Sequence, residues 1–372
     1  MRVTKISLNG FRNLEPAVIE PCDGVNIIYG NNAQGKTNLI EAIWLFTGSR
    51  SFRGAKDSDY LPFKKNFAGI ELCFFGQQRD QTAKIAFHAG NKKILLNEIQ
   101  QKSVSGLKGN FNAVVFSPDH LSLVKDGPDE RRNFLDTAIG QLMPQYSRYI
   151  SAYNKLLLQR NSTLKDAQYH SSLIDMIDIW DEQLVKYGTA IASARLRYIN
   201  LLSPLCEEIY SGISKGSEKM TMSYCAGWFD KPIEEEIPRE KIAESMALAL
   251  KNARKNDLVQ GSTSVGIHRD DINIMIDSVS LRAYGSQGQQ RSCVLALKLA
   301  ECGILYNTTG EHPVILLDDV MSELDNSRRD YLLNHLKGRQ VFITCCDKGY
   351  FKDLQAGKTF YMEAGVISED TE

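Results

Sequence analysis

No stretch of the 372-residue chain approaches 18 consecutive apolar residues, so the sequence offers no helix able to span a bilayer. An excess of one charge is also missing: 44 Lys and Arg face 45 Asp and Glu, for a formal net charge of −1. Any nucleic-acid surface must then come from local clusters of cations, not from the field of the whole molecule. None of the eight cysteines stands in a C-x-x-C pair or has a histidine at zinc spacing, which excludes the common structural zinc modules. They read as reduced thiols packed as small hydrophobes, the adjacent Cys345 and Cys346 included. Internal repeats and low-complexity tracts are lacking as well. The opening MRVTKISLNGF alternates like an edge strand and has no signal-peptide core, so the chain is expected to begin at Met1.

What is present is the composition of a globular protein with a sizeable core, 43% hydrophobic and 24% charged. Val3, Ile6 and Leu8 lie in a short extended stretch, and Val25 to Tyr29 is a compact apolar run ending at Gly30. A helix starts at Lys36, its apolar face carried by Leu39, Ile40, Ile43 and Leu45-Phe46. From Phe67 to Leu96 the pattern turns to β, with a hairpin turn expected at Ala89-Gly90-Asn91, and a further strand fits Ala113 to Phe116. Amphipathic helices follow near 129–140, 144–166, 171–203 and 239–255. Ile272 to Ile276 is a strand and 287–304 a helix; Val314 to Leu317 is a fully apolar strand. Helix 326–337 and strands 340–345 and 358–362 precede a polar, acidic tail at 368–372.

Gly30-Asn31-Asn32-Ala33-Gln34-Gly35-Lys36-Thr37 matches G-x-x-x-x-G-K-[ST] in full, after a strand and before a helix. Its glycines let successive N–H groups curl around phosphate oxygens, and the helix start adds positive field. Lys36 is placed to reach the β- and γ-phosphates, and the Thr37 hydroxyl to ligate Mg²⁺. Two acids ending the apolar strand, Asp318 and Asp319, are costly there unless they meet a cation or a proton to accept. Asp318 fits the Mg²⁺ position and Asp319 the base that polarises the attacking water. The phosphate loop and this strand end lie at opposite ends of the chain, so the nucleotide-binding core is discontinuous. The expected division is 1–110 with 285–372 for the core and 111–284 for an inserted, mainly helical lobe.

Ser286-Gln287-Gly288-Gln289-Gln290 opens a helix with a hydroxyl and small neighbours, a second anion-binding start that suggests another subunit's ATP. An ordinary capped helix is the plainer reading. His268-Arg269-Asp270-Asp271 reads as a surface salt-bridge turn, with a coupling role for Arg269 as the alternative. Arg50, Arg53 and Lys56 interleave with Phe52 after the first helix and are candidate DNA contacts, with a solvated face as the alternative; Arg131-Arg132 carries the same two readings.

These motifs carry a resemblance. SQGQQ resembles the signature of ABC-type ATPases, and Asp318-Asp319 followed by Ser322-Glu323-Leu324-Asp325 resembles their Walker B strand and D-loop. Phe11-Arg12-Asn13 is similar to the start of SMC-type relatives, where the arginine approaches the phosphates. ISLNGFRNL, GNNAQGKTNLIEAI, FSPDHLSLVKDGPDERRNFLD, GIHRDD, YGSQGQQRS and LLDDVMSELD together resemble the RecF family of recombinational repair ATPases, from residue 6 to 325. The resemblance implies an α/β fold, an ABC-type ATPase head with a mixed β-sheet core and an inserted helical lobe. It implies ATP and Mg²⁺ as cofactors, with Arg12 and Asn13 joining residues 30–37 at the nucleotide and Asp325 in the D-loop. Ser286, Gly288 and Gln289 would face the ATP of the other subunit in an ATP-dependent homodimer. It further implies a cytoplasmic protein without a membrane partner, acting on single-stranded or gapped DNA with RecO and RecR. That role includes slow ATP hydrolysis and links to replication restart, recombination and the SOS response.

Three departures stand out. Asp319 occupies a position where many ABC ATPases have Glu, and its shorter arm predicts slow turnover. VFITCCD ends without the usual histidine, leaving Thr344 or Asp347 in its place. VVFSPDH has no Q-loop glutamine, leaving Asp119 or His120. The last two argue against a transporter subunit, and the absence of sustained heptads argues against a long-armed SMC protein.

Overall fold

The computed structural model describes residues 1–88, 91–233, 236–346 and 357–370. The expected turn residues Ala89 and Gly90, the candidate Asp347 and the end of the acidic tail at 371–372 lie outside the described residues. The chain divides into two compact units, 1–121 with 294–372, and 122–293.

The first unit opens with β1 (Arg2–Asn9), β2 (Ala17–Ile19), β3 (Val25–Tyr29) and helix α1 (Lys36–Trp44). It continues with β4 (Phe67–Gly76), β5 (Arg79–His88), β6 (Asn91–Leu96), β7 (Ile99–Gln101) and β8 (Ala113–Phe116). The second unit contains α2 (Ser122–Lys125), α3 (Pro128–Leu142), α4 (Pro144–Ala167), α5 (Met176–Ser214), β9 (Met220–Cys225) and α6 (Arg239–Gln260). It ends with β10 (Asp271–Ile276), β11 (Val279–Ser280), α7 (Leu281–Tyr284) and the first residues of α8 (Gln287–Thr309). The chain then supplies β12 (Val314–Asp318), α9 (Asn326–His335), β13 (Val341–Cys345), β14 (Gly357–Glu363) and β15 (Val366–Asp370) to the first unit.

Two six-stranded sheets build that first unit. One is antiparallel, ordered β2-β1-β4-β5-β6-β7, and its alternating residues leave one face buried. The other is ordered β15-β14-β3-β13-β12-β8; all its pairings are parallel except that of the edge strand β15. β8, β12 and β13 are buried along their length, as befits strands covered on both faces. Residues of both sheets and of α1, including Val3, Leu72, Leu39, Ile43 and Leu316, form one core cluster. Gln340 ties the sheets together: its amide accepts from the Val3 N–H at 2.6 Å and donates to the Val3 carbonyl at 2.8 Å.

Four sequence expectations change. Ala113–Phe116 pairs with β12 and so belongs with the nucleotide-loop unit, placing the unit boundaries at 121/122 and 293/294 instead of 110/111 and 284/285. The helix expected to stop at Ser203 runs 39 residues through Pro204. Burial of Leu202, Cys206 and Tyr210 on either side offsets the hydrogen bond that proline removes. Strand β9 pairs with β10 where no strand was expected. The acidic tail up to Asp370 is a strand paired with β14, Thr359 opposite Asp370.

The His268–Asp271 cluster is a surface turn only at Arg269, which is exposed; His268 and Asp271 are half-buried. Asp270 is fully buried, accepting from the Trp228 indole at 3.1 Å and from the Tyr224 hydroxyl. His268 bonds the Tyr153 hydroxyl at 3.0 Å and the Thr263 carbonyl at 3.1 Å. Arg131 pairs with Asp271 and is itself buried, and Arg132 donates to the Asp270 carbonyl at 2.6 Å; both are engaged inside the unit. Burial pushes the Asp270 carboxyl up to about 6 against the pull of Arg195, and pushes the His268 imidazole down to about 4. The signs oppose. An acid raised on folding loses stability as pH rises from its unfolded value of about 3.9 to about 6; a lowered histidine gains it between about 4 and 6.5. Relative to wild type, His268→Gln should therefore lose stability as pH rises across 4.5 to 6.5, and Asp270→Asn should gain it. Each change should be on the order of 2–3 kcal/mol in urea titrations. A curve parallel to wild type for either variant would contradict the burial-driven shift of that residue.

Candidate functional site

The site lies at the carboxyl ends of β3, β13 and β12, where ligands of open α/β sheets collect. β3 runs straight into the Gly30–Thr37 loop. Gly30 has a φ of 150°, and a Cβ there would sit 2.2 Å from the Met362 carbonyl oxygen on β14. The turn joining β14 to β15 grips the loop from behind: Ala364 and Gly365 N–H donate to Gln34 Oε1 at 2.5 Å and to the Gln34 carbonyl at 3.0 Å. Lys36 is 7% exposed, and its ammonium donates to the carbonyls of Gly30 (2.6 Å) and Asn31 (2.7 Å). Those bonds hold the charge over the loop.

Across from it, Asp318 Oδ1 accepts from the hydroxyls of Thr37 and Thr344, each at 2.9 Å. Thr344 Oγ1 in turn accepts from the Asp319 N–H at 3.0 Å, so one hydroxyl aligns both acids. Burial raises the Asp318 carboxyl above its ordinary range, offset in part by the two hydroxyls and by Arg53. Asp319 takes a left-handed φ of 52°, a strained setting for a non-glycine residue, and its carbonyl accepts from Ser322 Oγ at 2.9 Å. Lys36, Thr37, Asn38, Arg53, Asp319 and Thr344 line one pocket with residues 32, 33 and 35 of the loop. Thr37 and Asp318 put a hydroxyl and one carboxylate side by side. That hard-oxygen set suits Mg²⁺, which takes one or two protein oxygens and fills its remaining positions with phosphate and water. No cluster of three or more metal-ligating side chains occurs among the described residues.

The other predicted residues divide between this pocket and places outside it. Arg12 turns to Glu41, Nε to Oε2 2.7 Å, and its guanidinium lies 5.3 Å from the Tyr60 ring centroid. Asn13 accepts from Asn38 Nδ2 at 2.7 Å and donates to the Gln34 carbonyl at 3.3 Å, bracing the loop. Arg53, expected at DNA, lines the pocket and donates to Asn38 Oδ1 at 3.0 Å, whereas Arg50 and Lys56 are exposed away from the pocket lining. Asp325 caps α9, accepting from the Arg328 N–H at 2.9 Å. Neither Asp119 nor His120 lines the pocket; His120 Nδ1 accepts from the Ser117 N–H at 3.1 Å, and burial holds its imidazole well below the usual range. In the second unit, Ser286 and Gln289 form a capping box. The Gln289 N–H donates to Ser286 Oγ at 3.2 Å and the Ser286 N–H to Gln289 Oε1 at 2.8 Å. Glu218 links that helix start to the second unit, accepting from Gln289 Nε2 at 2.8 Å and from the Tyr210 hydroxyl at 2.6 Å. Sequence reasoning missed Glu41, Arg53 as a pocket residue, and the grip of the 364–365 turn. Glu41 had a signal: it stands beside Ile40 and Ala42 on a helix with little polar surface.

A parallel sheet that presents a G-x-x-x-x-G-K-T loop and an acid-tipped strand, with a helical insert between them in sequence, defines an ABC-type ATPase head. The chain matches the RecF/RecN/SMC N-terminal domain family over residues 2–369, and within that family it belongs to RecF. It is 40% identical over 372 residues to the DNA replication and repair protein RecF of Clostridium acetobutylicum, covering 99% of this chain and 100% of that one. It is 38% identical to RecF of Acetivibrio thermocellus over 370 residues, 98% of this chain and 99% of that one. A solved structure of the recombination mediator protein RecF-ATP in the RecFOR pathway has a TM-score of 0.90 at 36% identity, covering 99% of this chain and 97% of that one. The SMC head domain of Pyrococcus furiosus shares the fold, with a TM-score of 0.56 at 17% identity over 99% of this chain and 95% of that one.

Proposed function

We propose that the protein is an ATP-gated DNA-binding switch of recombinational repair and replication restart, working in the cytoplasm with RecO and RecR and tied to the SOS response. The observation that carries this reading is the convergence of Lys36, Thr37 and Asp319 in one pocket, with Asp318 hydrogen-bonded to Thr37 at its wall, in a chain whose relative was solved as RecF-ATP. Residues 30–37 cradle the phosphates of ATP, Lys36 exchanging its carbonyl partners for phosphate oxygens. Thr37 and Asp318 hold Mg²⁺, which offsets phosphate charge when bound. Arg53 adds a second cation at the pocket. Asp319 accepts a proton from the attacking water, and Thr344 positions it through the backbone. The short carboxylate arm and the absence of a histidine on β13 fit slow hydrolysis. Ser286, Gly288 and Gln289 of one protomer meet the ATP of the other, so ATP closes a homodimer on single-stranded or gapped DNA and hydrolysis releases it.

Asp319→Asn tests the division of roles. Hydrolysis should fall roughly 10²- to 10⁴-fold, as for loss of a general base. ATP binding and ATP-dependent DNA binding should persist. Unchanged turnover would remove Asp319 from the chemistry, and loss of ATP binding would make it a structural residue.

A further inference from the structure

Phe63 and Phe67 are the only exposed phenylalanines among the described residues, 88% and 42% exposed. They bracket a short turn, Phe63-Lys64-Lys65-Asn66-Phe67, whose intervening residues are all exposed. A single surface aromatic is ordinary. Two within five residues, separated by two lysines, make a different surface: π faces beside cations.

The turn is built on a fixed base. Tyr60 is buried, stacked on Phe11 with centroids 5.1 Å apart, and its carbonyl accepts from the Arg12 N–H at 2.8 Å. The Lys65 N–H closes the turn on the Pro62 carbonyl at 2.9 Å, and Lys64 adopts a left-handed φ of 61°. The Lys64 ammonium rests 5.3 Å from the Phe63 ring centroid. The Phe67 ring lies over Gly69 on β4, where a Cβ would come within 3.2 Å of it, and the backbone of Phe67 pairs with exposed His88. The acids nearby are engaged: Asp57 with Lys92 at 2.5 Å, and Asp59 with the Lys56 N–H at 2.8 Å.

We infer that this turn is a contact for unpaired DNA, with Phe63 stacking on a base and Lys64 and Lys65 meeting the phosphates on either side. Aromatic rings that accept any base, set beside flexible cations, are how single strands are held without reading their sequence. A base offers the Phe63 ring a π surface in place of water, and each phosphate releases counterions to solvent. The inference rests on the DNA-binding reading above and gives it a location.

The test uses the full chain with Mg-ATP and a fluorescent single-stranded oligo(dT) probe over a salt series. Phe63→Ala should weaken binding roughly tenfold or more, the range of one lost base stack, and Phe63→Trp should restore it. Changing both lysines to Gln should lower the slope of log affinity against log salt by roughly 1.4, two single-strand phosphate contacts. DNA-free ATP hydrolysis should be unchanged in all three. A fully paired duplex should feel the loss of Phe63 much less, because its bases are already stacked. Phe63→Ala binding oligo(dT) as tightly as wild type would overturn the inference, as would an equal loss on duplex and single strand. A wild-type protein that binds no DNA would instead remove the DNA-binding reading itself, and this contact with it.

Discussion

Lys36→Ala is expected to weaken ATP binding by between about 30-fold and several thousand-fold. Truncating one member of a buried, hydrogen-bonded charge pair costs about 2–5 kcal/mol, and each 1.4 kcal/mol is a factor of ten in affinity. The Lys36 ammonium is almost wholly enclosed and held over the mouth of the loop by two carbonyls at 2.6 and 2.7 Å, so its orientation is set before a phosphate arrives. Arg53 lines the same pocket but is exposed and tied to Asn38, so it should compensate weakly. Isothermal titration with ATP and Mg²⁺ reads the loss directly. A variant within threefold of wild type would mean the loop binds phosphate through its backbone alone.

Gly365→Ala should be nearly as damaging, although Gly365 touches no predicted ligand. Its φ is 81°, and a Cβ there would fall 1.9 Å from the Asn13 carbonyl oxygen, a backbone atom that moves only with its chain. Left-handed strain of about 1–3 kcal/mol and overpacking of similar size sum to about 2–6 kcal/mol. At about 2–4 °C per kcal/mol for a unit of this size, the melting temperature should fall by roughly 5–20 °C. ATP affinity should fall with it, because the Gly365 N–H that braces the Gln34 carbonyl shifts. Gly310→Ala is the matched control: its φ of 73° is also left-handed, but its Cβ would meet nothing. Equal melting points for the two variants would show that crowding at Asn13 does not matter.

That grip on the loop was not legible in the sequence, and the reason is physical. VISED carries one β-branched pair followed by charges, and an edge strand exposed on most of its length needs no apolar alternation to announce it. The halves of the pocket itself were legible because their constraints are local. A loop that curls around phosphate requires Gly30 and Gly35 at fixed spacing, and a strand buried on both faces reads as Val314-Ile315-Leu316-Leu317. Arg53 is a candidate DNA contact in the sequence, since local pattern cannot say that the chain after α1 doubles back to Asn38. Buried polar groups misled in the same way: the His268–Asp271 cluster looks like a solvated turn until Tyr224, Trp228 and Tyr153 close around it. The helix expected over 171–203 continues through Pro204 because the packing of Cys206 and Tyr210 outweighs the local cost of proline.

The central claim is that ATP in the Lys36 pocket gates the grip on DNA. Equilibrium binding of a gapped duplex with and without Mg-ATP, over a salt series, tests it most directly. The account predicts tight binding only with Mg-ATP, steeply weakened by salt because phosphate contacts supply the affinity. Binding that is the same with and without nucleotide, or absent in both, would contradict it.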